Sequence, residues 1–421
     1  MCVCTLTTNH GNGFQPPGFI RLIFAHLQNF KKKKTTKKRL MEEFQGPEPG
    51  GSENRSLELN RRKWWISVFF CGFLIFAGDS LVMLLLNFFY VQDNRSESDQ
   101  DRQYRGTWTQ ALVQNAAFPI LIPLFFLFPS PKPNPETVSD QSNNRPPFLR
   151  VLLLYVSLGV LASVYSKLYA LAKLYVGWGI LVSAQLILTS LFSAFINRLK
   201  FNRWIIISIV FTLATDFFGS PAFSGTPDED ESGTYGIKAW LILIFPTLAF
   251  SLSLCLMQLG FEKVLVKTKR YANKKVFRMV LEMQICVSFI ATLVCLVGLF
   301  ASGEFKEMKG DSERFKKGKL YYILSLVGLA LSWQVWAVGL LGLVLLVSGL
   351  FADVVHMCAS PVVALLVVLA FDFMDDDYGW QRRGALLGAV LALASYFYSL
   401  HKTKKKEIAE LNKREHNNSE A

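Results

Sequence analysis

Long apolar blocks separated by short polar segments dominate the chain between residues 64 and 399. Most of them approach the roughly 20 residues that an α-helix needs to cross the hydrocarbon core of a bilayer. A soluble chain of 421 residues would instead spread its apolar residues in periodic, interrupted stripes. The pattern therefore predicts an all-α polytopic membrane protein embedded in a lipid bilayer. We expect ten transmembrane helices, over residues 64–90, 111–128, 149–172, 174–196, 204–218, 239–260, 280–302, 320–347, 349–371 and 384–399.

Ten helices divide evenly into two halves of five. Because five is odd, the second half enters the membrane in the opposite orientation to the first. Inverted repeats of this kind are typical of secondary transporters, which bind substrate near the bilayer midplane between the halves. Segments 183–204 and 359–380 support the division, since each runs from small residues through an apolar block to a polar turn. We expect a disordered cytosolic tail (1–60), a first repeat (61–218), an extracytosolic acidic loop (219–238), a second repeat (239–400) and a basic cytosolic tail (401–421).

The formal net charge of +13 comes from basic clusters between the apolar blocks, where topology signals lie. By the positive-inside rule both termini face the cytosol, and the acidic clusters at 228–231 and 375–377 lie outside. Segment 306–319 disagrees, because its six basic and three acidic residues fall on an expected outer loop. The run KKKKTTKKR at 31–39 is the best case for a nucleic-acid arm. A solvated or headgroup-facing tail is favoured, so we expect no nucleic-acid partner.

The cysteines and the acidic residues indicate no catalytic or metal chemistry. Five of the seven cysteines lie in apolar blocks and two lie near the N-terminus, and no CxxC pair occurs. This predicts neither a disulfide framework nor a metal site, and we expect no cofactor. The paired aspartates or the Ser/His arrangement of an intramembrane protease are not present in the sequence. We therefore do not expect an enzyme.

Four segments are more specific than a series of hydrophobic blocks. They are YGIKAW (235–240), LCLMQLGFEKVL (254–265), the stretch 281–310 that begins LEMQICVSF, and LSWQVWAVGLLGLVLLVSGLFADVV (331–355). With these segments the chain resembles the plant purine permeases, a branch of the drug/metabolite transporter superfamily, from about residue 62 to the end of the last span. The resemblance implies proton-coupled import of purine bases and related molecules such as cytokinins by alternating access. It also implies the plasma membrane as the default location.

The chain departs from this family pattern at two carboxylates. Segment 78–80 reads GDS where the family usually has glycine-glutamine-serine, and Asp353 stands where the family has asparagine. A charge at the bilayer centre costs at least about 2.5–3.5 kcal/mol on insertion scales, so it normally faces a cavity or a partner. Asp79 and Asp353 are therefore candidates for proton coupling, together with Glu282 of the family-like LEMQ. The alternative for Glu282 is an ion pair with Arg278, four residues earlier on the same helix.

A purine offers two apolar faces and an edge of hydrogen-bond donors and acceptors. Aromatic side chains stack on such faces, and one amide both donates and accepts in the geometry of an adenine edge. Each intramembrane amide can equally serve as a link between two helices. Trp333 and Trp336 are three residues apart and share one helical face. The candidate substrate-binding residues are Trp333, Gln334, Trp336, Gln284, Gln114, Gln185 and Gln258.

Other transport functions stay open at this point. A nucleotide-sugar or other metabolite carrier of the same superfamily needs Lys or Arg in its cavity to neutralise phosphate. The sequence offers only Lys167 and Lys173, near the outer end of the third span. A divergent carrier with a non-purine substrate is a further alternative. A channel or receptor fits less well, because a five-plus-five inversion favours alternating access.

Overall fold

A computed structural model describes residues 52–92, 106–127, 148–175, 178–219, 235–265, 273–371 and 380–419. The expectations for residues 1–51 and for the acidic clusters at 228–231 and 375–377 lie outside this part of the chain. The chain divides into two units. The first, Met1–Glu53 and Pro131–Arg150, contains only a few described residues. The second, Asn54–Ser130 and Val151–Ala421, contains the contacts discussed below.

All regular secondary structure within the described residues is helical. A 3₁₀ turn, Phe118–Ile120, separates α2 from α3, and a π-helical turn, Gly260–Leu265, follows α7. The α-helices are α1 Ser52–Gln92, α2 Thr107–Ala116, α3 Leu121–Leu127, α4 Phe148–Tyr175, α5 Trp178–Phe195, α6 Arg203–Gly219, α7 Tyr235–Leu259, α8 Asn273–Ser302, α9 Glu304–Arg314, α10 Lys319–Leu346, α11 Gly349–Phe371 and α12 Trp380–Ser419.

Seven helical stretches of the described chain are long and apolar enough to cross a membrane. Two shorter apolar segments, Ser183–Phe195 and Gly349–Val363, accompany them. Large apolar side chains such as Phe73, Phe126 and Val297 are exposed, which suits surrounding hydrocarbon far better than water. The architecture is that of a helical multi-pass membrane protein. The seven stretches are Arg62–Phe89, Thr107–Leu127, Leu149–Ala172, Ile244–Glu262, Phe277–Ser302, Lys319–Leu346 and Arg383–Lys405.

The second expected span is not one continuous helix. Helix α2 ends at Ala116, and the chain passes through the 3₁₀ turn before α3 begins at Leu121. Pro119 explains the break, because proline has no N–H to donate and disfavours the helical conformation at the preceding residue. As a consequence, backbone carbonyls near the end of α2 lose their intrahelical donors.

Two segments that we expected to be non-helical are helical. Helix α1 begins at Ser52, so residues 52–60 of the expected tail are helical in the structure. The leucines and glutamates of SENRSLELN favour a helix that continues into the apolar span. The expected loop at 306–319 contains most of α9, which starts just after Gly303. Gly303 has φ 79°, a left-handed conformation that glycine adopts without a steric penalty and that redirects the chain.

Helices from both halves of the sequence pack against each other. Helix α2 contacts α8 and α10, α5 contacts α7 and α11, and α6 contacts α12. Glycines permit the closest approaches, as small residues do between membrane helices. A Cβ added to Gly78 on α1 would lie 2.6 Å from the backbone nitrogen of Trp336 on α10. A Cβ added to Gly298 on α8 would lie 2.5 Å from the ring of Trp108 on α2.

Candidate functional site

A cavity lies between helices from both halves of the sequence. Side chains of α2, α4, α7, α8 and α10 line it, and all of them belong to apolar stretches that are long enough to cross a membrane. The cavity has a volume of about 80 Å³, whereas one water needs only about 10–15 Å³. The polar lining residues are Gln114, Asn115, Ser166, Ser253, Gln284 and Ser288.

Four buried aromatic side chains, Tyr165, Phe250, Trp333 and Trp336, form one wall of the cavity. The rings of Trp333 and Trp336 meet edge to face, with centroids 5.3 Å apart and an interplanar angle of 87°. The ring of Phe250 lies 6.2 Å from that of Trp336 and 4.9 Å from that of Tyr165. The three-residue spacing of the tryptophans therefore places both of them at the cavity.

The amide of Gln334 lies behind the cavity wall and is not a lining residue. Its Nε2 donates to the backbone carbonyls of Gln114 and Asn115, at 3.3 Å each. These are carbonyls that the end of α2 leaves without helical donors. Gln284 Nε2 in turn donates to Gln334 Oε1 at 3.1 Å and to Ser288 Oγ at 2.9 Å. The network joins α2, α8 and α10 beside the cavity.

Two other predicted amides link helices away from the cavity. Gln185 Nε2 on α5 donates to Asp353 Oδ1 on α11 at 2.8 Å. Gln258 Oε1 accepts the N–H of Gly349, the first residue of α11, at 2.9 Å. Gln258 Nε2 donates to Glu262 Oε1 at 3.0 Å. Both glutamines therefore satisfy groups of the protein itself.

The three candidate carboxylates do not line the cavity. Asp353 is fully buried, whereas Glu282 on α8 and Asp79 on α1 are partly exposed. Glu282 lies two residues before Gln284, which does line the cavity. Among the described residues, no group of three His, Cys, Asp or Glu side chains could hold a metal ion.

Some donors of the residues that line the cavity have a hydrogen-bond acceptor within the protein, and others do not. Trp336 Nε1 donates to His356 Nδ1 at 3.2 Å. In contrast, Gln114 Nε2 and Trp333 Nε1 have no hydrogen-bond partner in the part of the chain that the structure describes. Both side chains are buried, at 7% and 5% exposure. Leaving a buried donor unsatisfied costs about 1–3 kcal/mol.

Several lining residues were not predicted from the sequence. Asn115 donates from Nδ2 to Ser166 Oγ at 3.1 Å, and Ser288 accepts from Gln284. Serine and tyrosine are unremarkable in apolar helices, so neither Ser166 nor Tyr165 carries a signal in a single sequence. Ser288 was detectable, because it follows Gln284 by four residues and so shares its helical face.

Glu304 is another residue whose role was not predicted from the sequence. Its carboxylate caps α2 from another helix, accepting the N–H of Trp108 at 2.9 Å and the Thr107 hydroxyl at 3.2 Å. Lys167 Nζ lies 3.8 Å from the centroid of the Trp108 ring. Burial raises the pKa of Glu304 above its usual value, although the hydrogen bonds from α2 and the charge of Lys167 oppose this. Glu304 therefore fixes the end of a helix that lines the cavity.

A multi-pass helical bundle with an aromatic, amide-bearing cavity inside it is the architecture of a membrane protein that can bind a small solute. A sequence profile described as purine nucleobase transmembrane transport matches residues 66–406. The chain therefore belongs to the purine permease family, and membership implies nucleobase transport.

The chain is similar to three proteins of Arabidopsis thaliana. It is 88% identical to a probable purine permease 16 over 90% of this chain and 100% of the relative. It is 67% identical to a probable purine permease 18 over 88% of this chain and 95% of the relative. It is 65% identical to a probable purine permease 23 over 91% of this chain and 98% of the relative.

Proposed function

We propose that the protein imports purine nucleobases and purine-like compounds, cytokinins included, by proton-coupled alternating access. The observation that carries this proposal is the cavity within the bundle, whose wall combines four aromatic rings with amide and hydroxyl groups. Stacking of a base on an aromatic ring contributes about 1–3 kcal/mol in single-stranded nucleic-acid complexes. The amides and hydroxyls are suited to the polar edge of the base.

The seven candidate substrate-binding residues then divide by role. Trp333 and Trp336 supply aromatic faces, and Gln114 and Gln284 reach the polar edge of the base, since all four line the cavity. The hydrogen bonds of Gln334 make it a positioning residue for α2. Those of Gln185 and Gln258 make these two residues structural links to α11.

The proposed transport cycle needs two halves that move relative to each other, and we propose ten spans in two inverted repeats of five. Helices that hold the same position in the two halves pack against each other, which supports this arrangement. The second span packs against the seventh (α2, α8), the fourth against the ninth (α5, α11), and the fifth against the tenth (α6, α12). An inverted repeat brings such equivalent helices together across its pseudo-twofold axis. Tags placed after Ala421 and within 228–231 should be accessible to protease from opposite sides. Access to both from the same side would reject the topology.

Coupling to protons needs a group whose charge changes during the cycle, and intramembrane carboxylates commonly have this role. Glu282 is the first candidate, because it lies in the family-like LEMQ and close to Gln284. Asp79 and Asp353 are the others, because both lie within apolar helical stretches. Uptake should rise as external pH falls from about 7 to about 5, Glu282→Gln should flatten this response, and Asp353→Asn should retain transport. The opposite pattern in the two variants would assign the proton site to α11.

A nucleotide-sugar carrier is disfavoured by the composition of the cavity. Its described lining contains no Lys or Arg, although a bound diphosphate needs cationic partners. Lys167 faces the Trp108 ring instead. An uncharged, planar base fits such a lining better than a phosphorylated compound does.

The proposal is tested by uptake of labelled compounds into cells that lack endogenous purine uptake. The panel holds nucleobases, a cytokinin and a nucleotide sugar, each at two external pH values, with the protein followed in the plasma membrane fraction. We expect saturable uptake of the bases that increases at acidic pH. Uptake of the nucleotide sugar alone, or base uptake that ignores an imposed proton gradient, would contradict the proposal.

A further inference from the structure

A second pocket, separate from the cavity described above, lies at one end of the bundle between α1 and α12. Trp65 of α1 and His401, Lys404 and Lys405 of α12 line it, and its volume is about 210 Å³. The apolar stretch of α1 starts at Arg62, and that of α12 ends at Lys405. The pocket therefore lies where the two helices leave the hydrocarbon and reach the level of the lipid headgroups.

The polar part of this pocket is cationic. Lys404 and Lys405 contribute ammonium groups, and none of the described lining residues is acidic. Lys404 Nζ lies 5.2 Å from the centroid of the Trp64 ring, a distance at which a cation is attracted to an aromatic face. Trp64 Nε1 in turn donates to the carbonyl of Leu346, the last residue of α10, at 3.3 Å. The ring that orients Lys404 is thus held by a third helix.

The apolar part of the pocket continues towards the bilayer interior. The ring of Trp65 lies 5.9 Å from that of Phe69 and 5.8 Å from that of Phe397. Phe69 and Phe397 stack on each other, with centroids 5.5 Å apart and an interplanar angle of 27°. Phe69 is one helical turn further into the membrane and is 58% exposed. A cationic pocket is therefore continuous with an aromatic surface that faces hydrocarbon.

We propose that this pocket binds an anionic phospholipid, with Lys404 and Lys405 at its headgroup and an acyl chain along Phe69 and Phe397. Basic residues at the membrane surface attract anionic lipids, and tryptophan is enriched at the headgroup level. The positive-inside rule predicts that this surface is the cytosolic one, where anionic lipids give the leaflet its negative potential. A free phosphate ion would match the lysines but would leave the aromatic surface unused.

The site is independent of the transported substrate, because none of its residues lines the purine cavity. A lipid bound there contacts α1 and α12 together, so it should stabilise the folded protein against unfolding. Its binding can be measured without any purine present. Failure of the lipid test would leave the proposed transport function unaffected.

Lipid titration of the purified full chain in a neutral detergent tests the proposal, with native mass spectrometry counting the bound molecules. Dioleoylphosphatidylserine is compared with dioleoylphosphatidylcholine and with inorganic phosphate. We expect one phosphatidylserine site that is at least about tenfold tighter than any phosphatidylcholine site. Each lysine near an anionic surface contributes about fivefold in affinity, so the double variant Lys404→Gln/Lys405→Gln should bind about 25-fold more weakly.

A matched control removes two lysines near the other end of α1. Lys317 Nζ lies 5.3 Å from the centroid of the Phe88 ring, so the double variant Lys316→Gln/Lys317→Gln makes the same change of charge beside an aromatic ring. It should keep the wild-type affinity for phosphatidylserine. Phe69→Ala should weaken phosphatidylserine binding severalfold, because it removes part of the surface for the acyl chain. The unfolding temperature of each variant without added lipid verifies that it is folded.

The outcomes decide between a lipid site and its alternatives. A preference for phosphatidylserine that is lost in Lys404→Gln/Lys405→Gln and kept in the control supports the site. Equal binding of the two lipids, or an equal loss in the two double variants, would overturn it. Displacement of phosphatidylserine by inorganic phosphate at similar concentration, with no effect of Phe69→Ala, would show a site for free anions and overturn the assignment to a lipid.

Discussion

Two regions of the bundle contain buried glutamines that look alike in the sequence and differ in their surroundings. Beside α11, Gln185 and Gln258 donate to or accept from protein groups at 2.8–2.9 Å. At the cavity, Gln114 has a side-chain nitrogen with no partner among the described residues. An amide that links two helices forms its hydrogen bonds with protein groups, whereas an amide that binds a ligand keeps a donor or acceptor without a protein partner. We propose that glutamine is structural in the first region and contacts the substrate in the second.

The comparison predicts opposite phenotypes for two equivalent substitutions. Gln185→Leu removes the donor to the fully buried Asp353 carboxyl, and we expect a loss of about 2–3 kcal/mol in the free energy of unfolding. Gln114→Leu removes a nitrogen that has no protein partner, so it should change stability by less than about 1 kcal/mol while weakening uptake. Thermal unfolding in detergent measures the first effect. Equal destabilisation by both substitutions would contradict the division of roles.

The glycine contacts predict a smaller effect on the scaffold that holds the cavity wall. Gly78→Ala places a methyl group 2.6 Å from the backbone of Trp336, and overpacking of this kind costs about 1–3 kcal/mol. Gly72→Ala, on the same helix, meets nothing within 4 Å and should be neutral or slightly stabilising. Unfolding of the two variants is compared directly. A neutral Gly78→Ala would show that α1 and α10 are not held this closely.

The all-helical fold could be predicted from the apolar blocks, because each expected span lies on helical residues, although the second is broken near Pro119 and α1 and α12 extend well beyond theirs. Seven stretches of the described chain are long and apolar enough to cross a membrane, so the number ten stays a prediction. Helix α9 was not predicted, because EFKEMKGDSER is polar and gives no apolar periodicity. At the site, the spacing of Trp333 and Trp336 was informative. The distinction between Gln114 and Gln185 was not, because it depends on which helix each side chain faces. That is a tertiary property and leaves no trace in one sequence.

Substitution of Glu304, which lies outside both groups of glutamines, should have the smallest effect on stability. Burial raises its pKa, so the folded state binds its proton more tightly than the unfolded state does. The folded state should therefore gain stability as pH falls from neutral through the raised pKa towards the ordinary carboxyl value. Glu304→Gln should lack this increment, which a pH series of unfolding temperatures measures as a difference between the two proteins. A steeper gain in Glu304→Gln would show that the carboxyl is bound in its charged form.

We propose that purine bases cross the protein through the cavity between α2, α4, α7, α8 and α10. Ala162 lines this cavity on α4, whereas Val164, two residues later, is 40% exposed on the outer face. Uptake of labelled hypoxanthine into proteoliposomes should be saturable in the wild type, abolished by Ala162→Phe and retained by Val164→Phe at equal incorporation. Undiminished uptake by folded Ala162→Phe would contradict the account, because the base would then cross by another route.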